Sequence, residues 1–274
     1  MLSDQERRLI YHRAYVPEHL PDYVEAISSA EAHLHDDCLC YTRNNHLIFI
    51  GYPLVHAEGD IAGAYESALK RFNPATVSVI APQLWFEDDG NQSEYDHYYR
   101  LDLPPRAIPP EVSYMVRRAE RDLSLGEGTF GREHKQLIRD FIRTHNITPD
   151  HEEIFRRLHT YLKRSGHARI LEARKDNTVL SAFTIVDLGS AEYAFYLFNF
   201  RSPEESVPGV SDLLFREMVR LSHHEGKRVI NLGLGINAGN RHFKEKWGGT
   251  IFIPCQTAAI NRHGLNMDTL LNKL

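Results

Sequence analysis

Polar side chains with chemical potential are concentrated near the C-terminus, around a turn rich in glycine and asparagine. Residues 229–232 form a short apolar run that predicts a buried strand, and three glycines follow within residues 233–239. Glycine permits positive φ angles and a close approach of the backbone to a ligand. From Asn240 onward, apolar and basic residues recur at helical spacing and place Lys244 on a short helix. Since helix N-termini attract negative charge, the segment favours an anionic ligand.

Three interpretations of this segment remain open from the residues alone. It can be a plain strand-to-helix connection without a ligand. It can be a dinucleotide-binding turn, because its glycines approach the Rossmann spacing, although the next predicted strand, residues 251–255, does not end in the acidic residue that holds a ribose. It can also be an acyl-transfer site, where a desolvated Lys244 would hold an anion or transfer a proton.

A basic and aromatic sequence, Phe243-Lys244-Glu245-Lys246-Trp247-Gly248, ends this helix and follows Asn237. This arrangement resembles the end of the catalytic domain in the GNAT acyltransferase superfamily, with Lys244 where those enzymes usually carry tyrosine. The Phe-Lys ending with a doubled glycine is closer to the Fem-type aminoacyltransferases and to the catalytic domain of phosphatidylglycerol lysyltransferases.

Two upstream stretches extend the resemblance, so that it covers roughly residues 110–255. In residues 200–215, Gly209 and Asp212 precede a long central helix, as in the loop of the same branch. Residues 116–121, Val-Arg-Arg-Ala-Glu-Arg, resemble the basic sequence that opens the catalytic half of the lysyltransferase-like group.

Periodicity and resemblance together predict an α/β (α+β) fold of tandem GNAT-like halves, each a mixed, mainly antiparallel sheet flanked by helices. Residues 1–110 would form the N-terminal half and residues 111–274 the C-terminal catalytic half. Both halves show the order strand, helix, strand, and the first also contains a helical lead-in and a hairpin around Asn44-Asn45. A proline-rich connector, residues 103–110, separates the two.

The resemblance and the positions on the predicted elements identify three groups of candidate site residues. The catalytic candidates are Lys244, Asn237, Tyr196 and Asn199. The candidates for binding the donor cofactor are Gly209, Val210, Ser211, Asn231, Gly233 and Asn240. The candidates for binding the substrate are Asp212, Arg117 and Arg121.

Several of these candidates also have a purely structural interpretation that the sequence leaves open. Tyr196 can fill the core with a paired hydroxyl, and Asn237 can cap a turn. Lys244 can be a solvated helix lysine, and Asp212 can cap the N-terminus of the long helix.

The resemblance implies an acyl- or aminoacyltransferase in which an acceptor amine or hydroxyl attacks the donor carbonyl directly. In this fold two central strands diverge, the donor lies between them as an added strand, and backbone amides stabilise the developing oxyanion. The donor would be an acyl-CoA or an aminoacyl-tRNA, and the acceptor a small molecule, a peptide or a lipid. Helical spacing places Arg117 and Arg121 on one face, where they would contact tRNA phosphates or only solvent.

Two departures from the GNAT pattern leave other hypotheses open. The usual Arg-x-x-Gly-x-Gly/Ala run that wraps coenzyme A is absent, and Pro208 removes one backbone donor. Together with lysine in place of the usual tyrosine, these departures favour an alternative hypothesis, a noncatalytic ligand-binding protein that retains the fold. A dinucleotide-dependent oxidoreductase is the third hypothesis.

Composition excludes several function classes. The 274 residues carry a net charge of −5, which argues against a generally electrostatic nucleic-acid or membrane binder. No apolar run is long enough to be a transmembrane segment, and the first residues lack an export signal, so we expect a cytoplasmic protein. Nothing in the composition predicts an oligomeric state.

Cysteine and histidine patterns predict neither a disulfide nor a metal site. Three cysteines are an odd number in a chain without an export signal, so reduced thiols are expected. His33 and His35 precede Cys38 and Cys40, but pairs with one intervening residue and no second cluster do not match a closed zinc site. We therefore expect no metal cofactor.

Overall fold

A mixed sheet of eleven strands organises the computed structural model of the protein, which describes residues 2–55, 59–86, 94–145 and 147–262. The strands are β1 (Glu31–His35), β2 (Cys38–Arg43), β3 (His46–Ile50), β4 (Thr76–Ala81), β5 (Glu94–Asp102), β6 (Leu123–Gly128), β7 (Ala168–Lys175), β8 (Val179–Asp187), β9 (Tyr193–Arg201), β10 (Val229–Leu234) and β11 (Thr250–Asn261). The helices are α1 (Asp4–Arg13), α2 (Pro21–Ser28), α3 (Ile61–Phe72), α4 (Pro110–Ala119), α5 (Arg132–Thr144), α6 (Pro149–Arg164), α7 (Val210–His224) and α8 (Ala238–Lys246). None of the helices in these ranges is both long and apolar enough to cross a membrane.

The sheet combines two similarly ordered halves. Its strand order is β1-β2-β3-β4-β11-β5-β10-β9-β8-β7-β6. Parallel pairing occurs between β3 and β4, joined by α3, and between β9 and β10, joined by α7. The other neighbouring strands pair antiparallel. The predicted mixed α/β class, mainly antiparallel and with a repeated order, is confirmed.

Strands of the two halves interleave in the middle of the sheet. β11, near the end of the described chain, lies between β4 and β5, and β5 lies between β11 and β10. Because the sheet is continuous across residue 110, the division into residues 1–110 and 111–274 stays a prediction, and residues 263–274 lie outside the described ranges. β5 also separates β10 from β11, so the glycine-rich turn does not connect adjacent parallel strands as a Rossmann unit requires.

Local sequence explains the elements that it predicts. Asn44 and Asn45 have φ angles of 46° and 65°, the left-handed pair that a two-residue type I′ turn needs, and the hairpin of β2 and β3 forms there. The helical lead-in is confirmed as α1, a 3-10 turn at Pro17–His19, and α2. The predicted order of strand, helix and strand corresponds to β3, α3 and β4 in the first half and to β9, α7 and β10 in the second, and the predicted basic helix and final strand correspond to α8 and β11.

Helices cover both faces of the sheet around β9 and β10. On the face that we call the α7 face, α4, α7 and α8 pack over an apolar core that includes Phe215 and Trp247. On the opposite face, the lead-in face, α1, α2 and α6 pack over Phe195 and its neighbours. Side chains of a strand alternate between faces. Each face of β9 and β10 therefore has its own set of partners.

The start of α7 depends on a glycine. Gly209 has a φ of 88°, and a Cβ atom added there would lie 2.3 Å from the carbonyl oxygen of Met115 in α4. We expect Gly209→Ala to destabilise the fold by about 1–3 kcal/mol more than Gly226→Ala, because overpacking adds to the left-handed strain that both share. Gly226 has a φ of 73° and open space around it. Urea unfolding of both variants measures the difference, and equal losses would contradict the packing.

Candidate active site

The β9–β10 pair separates soon after it begins. Only three residue pairs join the strands, Val229↔Tyr193, Ile230↔Ala194 and Asn231↔Phe195. β9 continues to Arg201 and β10 to Leu234 without further pairing between them. Diverging strands leave backbone groups that an extended ligand can pair with as an added strand. We call this space the gap.

The equivalent pair in the first half has no such space. β3 and β4 pair through all five residues of β3, from His46↔Thr76 to Ile50↔Ile80. The backbone N–H of Gly51 then donates to Ile80 O and extends the ladder. Of the two parallel pairs in the described chain, only β9 and β10 can admit a donor between them.

Bulges shape the two edges of the gap. Leu197 of β9 has no register partner in β8, and Leu232 of β10 has none in β5. A bulge bends its strand and redirects the following side chain, and bulges are frequent beside active sites. Gly233 follows the second bulge with a φ of 73°, a conformation that glycine adopts at little cost.

Three elements converge at Gly233. A Cβ atom at this position would lie 3.8 Å from Tyr196 O of β9 and 4.0 Å from Lys244 Nζ of α8. Because Gly233 has no side chain, it places no side-chain atoms between the Lys244 amine and the gap. The predicted residues Gly233, Tyr196 and Lys244 are thus brought together.

Lys244 is a buried amine and not a solvated helix lysine. The residue is 5% exposed, Nζ donates a hydrogen bond to Leu234 O, and it lies 5.5 Å from the centre of the Tyr99 ring. Burial lowers the pKa of Lys244 to about 7, against the opposing effect of Asp96. A lysine with this pKa exists in both protonation states near neutral pH and can transfer a proton.

Asn231 holds the divergence of the strands. Its Oδ1 accepts a hydrogen bond from Gly233 N at 2.8 Å, and its Nδ2 donates to Tyr15 O of the lead-in at 2.8 Å. The amide of this buried side chain is therefore engaged with the protein. Its predicted role in binding the cofactor stays a prediction, while its contacts favour a role in positioning β10.

Tyr196 lies on the α7 face between two aromatic rings. Its ring is stacked on Phe243 at 6.2 Å and meets Phe215 edge to face at 5.3 Å. Burial raises the pKa of Tyr196, with the charge of Asp212 as a second cause. These contacts favour the packing interpretation, and proton donation by this hydroxyl stays a prediction.

Asp212 connects α7 to α8. The expectation that it caps α7 is wrong, because Gly209 is the N-cap residue and the helix begins at Val210. The carboxylate of Asp212 instead accepts hydrogen bonds from Lys246 Nζ at 2.9 Å and from Trp247 Nε1 at 2.8 Å. This buried contact fixes the end of the helix that carries Lys244.

Some polar groups of the predicted cofactor-binding loop at the start of α7 already have partners within the protein. Val210 N already donates to Val207 O at 3.1 Å, and Gly209 packs against α4. Ser211 Oγ accepts a hydrogen bond from Asn199 Nδ2 at 3.0 Å, so these two predicted residues do meet. The Oδ1 atom of Asn199 is buried without a partner among the described residues.

The remaining candidates lie farther out. Asn237 is the N-cap of α8, and its side chain accepts from Asn240 N at 2.9 Å, which supports the capping interpretation for both. Arg117 is exposed on α4. The expectation that Arg121 shares its helical face is wrong, because α4 ends at Ala119 and Arg121 lies in the following turn. A role in binding phosphates stays a prediction for both arginines.

The sequence does not identify Asp96, which shapes the loop after β10. Its carboxylate accepts hydrogen bonds from Ile236 N and His97 N, each at 2.7 Å. Ile236 has a φ of 57°, and Asn237 N donates across it to Gly235 O at 2.6 Å, which makes a strained γ-turn. Backbone strain of this kind clusters at functional sites.

In the described part of the chain, no three His, Cys, Asp or Glu side chains come together as a metal site. His33 and His35 lie on β1, and Cys38 and Cys40 are buried on β2. Burial raises the pKa of the Cys38 thiol to about 12, so it is protonated near neutral pH.

A pH-dependent stability follows from Lys244. Between about pH 7 and 10 the unfolded chain binds a proton that the folded chain lacks, so folding becomes more favourable as the pH rises. We expect the free energy of unfolding of the wild type, relative to Lys244→Met, to increase by about 3 kcal/mol across this window. Urea unfolding at several pH values measures it. Lys135→Met, at an exposed lysine of α5, should give a flat difference.

A second stability prediction concerns the contact between α7 and α8. Asp212→Asn should destabilise the fold by about 3 kcal/mol, because it leaves the half-buried Lys246 ammonium without its carboxylate. The exposed pair of Glu120 and Arg216, 2.6 Å apart, provides the control. Glu120→Gln should cost less than about 1 kcal/mol. Thermal unfolding compares the variants, and a similar small loss for both would contradict the stabilising role of the contact between Asp212 and Lys246.

Comparison with known proteins identifies the fold. No family model and no curated protein matches the chain. The C-terminal domain assigned to a lysylphosphatidylglycerol synthetase from Agrobacterium fabrum has 14% identity and a TM-score of 0.63, covering 98% of this chain and 96% of its own. FemX has 9% identity and a TM-score of 0.64, covering 93% and 96%. A tandem GNAT protein from the clavulanic acid biosynthesis pathway has 13% identity and a TM-score of 0.50, covering 81% and 78%. The chain therefore shares its fold with these proteins, a tandem GNAT-like fold as its sequence predicts.

Proposed function

We propose that the protein is an aminoacyltransferase that moves an aminoacyl group from an ester donor, aminoacyl-tRNA, to an amine or hydroxyl acceptor. The break in the β9–β10 ladder beside Lys244 is the observation that carries this proposal. The names of two similar structures, a lysylphosphatidylglycerol synthetase domain and FemX, support the same class of reaction.

The chemistry follows from the groups around the gap. The donor backbone pairs with the free edges of β9 and β10, which places its ester carbonyl near Gly233. The acceptor amine attacks the carbonyl carbon, a C–N bond forms, and the ester C–O bond breaks. Lys244 in its neutral form takes the proton from the attacking amine and returns it to the leaving oxygen of the donor. No covalent enzyme intermediate is required.

An ester donor fits the start of α7 better than a coenzyme A pyrophosphate. Val210 N is already occupied by Val207 O, and Gly209 packs against α4. A pyrophosphate would therefore find fewer free backbone donors at the position where the positive end of the helix dipole would otherwise attract it.

We expect Lys244→Met to reduce kcat by about 10²–10⁴-fold, the usual contribution of a general acid or base. In the wild type, kcat should rise with pH through about 7, because the neutral amine is the base. Single-turnover assays with charged tRNA pools and amine acceptors measure both effects. Lys135→Met serves as the control and should retain the wild-type rate and pH profile.

The same assays separate the alternatives. If acyl-CoA is consumed and aminoacyl-tRNA is not, the protein is an acyltransferase with a thioester donor. If donors bind and no acceptor is modified, the noncatalytic binding protein is the correct interpretation. An unchanged rate for Lys244→Met would exclude the proton-transfer role of this lysine.

A further inference from the structure

Glu18 is half-buried, and its carboxylate has no cationic partner in the described ranges. It lies on the 3-10 turn of the lead-in, and its Oε2 accepts a hydrogen bond from Tyr98 OH at 2.8 Å. No positively charged group contributes to its surroundings among the described residues. The neighbouring His19 does not supply a charge, since burial lowers its pKa to about 4 and its Nε2 is bonded to Tyr52 O.

The position of Glu18 is on the lead-in face, next to the gap. Tyr98, which holds the carboxylate, lies opposite Leu234 in the β5–β10 ladder. Leu234 O is the atom that Lys244 contacts from the α7 face. Tyr23, whose pKa is raised by burial and by the charge of Glu18, packs against Phe198 of β9 at 6.0 Å. Glu18 therefore lies on the lead-in face between Tyr98, which pairs with the end of β10, and Tyr23, which packs on β9.

Glu25 of α2 shows what a structural carboxylate in the same segment requires. Its Oε2 lies 3.2 Å from both Arg7 and Arg164, so its charge is compensated. Among the residues that the structure describes, Glu18 has one hydroxyl partner, Tyr98, and burial raises its pKa. An ionised carboxylate in the interior is costly unless it is paired.

The surroundings of Glu18 leave room for a partner. Glu18 is half-buried and retains accessible surface. Tyr98, Tyr52 and Tyr23 lie close enough for the Glu18 charge to affect their hydroxyls. Tyrosine rings attract cations through their faces. A carboxylate among tyrosines is a suitable environment for a primary ammonium.

We propose that Glu18, held by Tyr98, binds a primary ammonium group of the substrate that occupies the gap. This inference rests on the gap being the substrate site, and it specifies the substrate class as cationic at the end that reaches the lead-in face. The ammonium belongs either to the aminoacyl donor or to an amine acceptor. Lys244 on one face and Glu18 on the other would then fix the substrate from both sides of the sheet.

Binding of small probes tests this without turnover. Alaninamide represents the α-ammonium of a donor and pentylamine an acceptor amine, while N-acetylalaninamide and 1-pentanol are their neutral counterparts. Calorimetry with the wild type should show at least 10-fold tighter binding of a cationic probe than of its neutral counterpart. Glu18→Gln should remove this preference, and Lys244→Met should retain it, which separates recognition from catalysis.

A matched control comes from the opposite face of β5. Glu245 lies 3.5 Å from Tyr99 OH and is exposed, so Glu245→Gln removes a similar charge and should change the preference less than about 3-fold. Tyr98→Phe should weaken the preference in part, because it releases the Glu18 carboxylate. Thermal unfolding confirms that each variant folds.

The outcomes are distinct. Selective binding of alaninamide alone assigns the site to the donor, and selective binding of pentylamine alone assigns it to the acceptor. If neither cation binds the wild type better than its neutral counterpart, or if Glu18→Gln and Glu245→Gln have equal effects, the ammonium site is wrong. If the probes behave as expected but no donor is ever consumed, the ammonium site remains and the proposed transferase activity fails.

Discussion

The candidate site depends on one interruption in a backbone ladder. Buried N–H and C=O groups need partners, so two neighbouring strands normally pair along their whole length. Beyond Asn231 the chain prevents this, because the Asn231 side chain takes the N–H of Gly233 and the backbone turns to a positive φ. The bulge at Leu197 redirects the facing strand. The gap is therefore fixed by residues of the two strands themselves and does not need a ligand to open it.

Two costly side chains lie on opposite faces of this interruption. Lys244 loses most of its hydration, and Glu18 lies in the interior with one tyrosine hydroxyl as its partner. Neither arrangement stabilises the fold, since each disfavours the charged form of its group. The fold compensates nearby, where Asp212 fixes Lys246 and Trp247 beneath α8. A site for charged ligands requires ionisable groups that the protein leaves unpaired, next to a scaffold whose own charges are paired.

Local sequence predicts only the part of the site that lies on one stretch of chain. Lys244 and Gly233 are close in sequence, and the glycine-rich turn with a basic helix points to both. Glu18 and Tyr98 are distant in sequence from that turn, and they reach it only because the lead-in crosses the sheet and β5 pairs with β10. The sequence of β5, Glu94–Asp102, is also hard to recognise as a strand, because its tyrosines and charged residues do not alternate regularly. These contacts depend on long-range strand pairing, which a local sequence pattern does not encode.

In the described ranges, the two halves differ in whether their parallel strand pair contains a gap. In the first half, β3 and β4 pair to their ends, so this region acts as continuous sheet. Through β11 and β5 that sheet continues to β10, and β5 pairs with Leu234 and its neighbours on the side of β10 away from the gap. β10 is thus fixed on one side by the six strands beyond it, and it diverges only from β9. For the proposed acyl transfer, a rigid edge on one side of the gap would keep backbone donors in place, and preorganised groups stabilise developing charge most effectively.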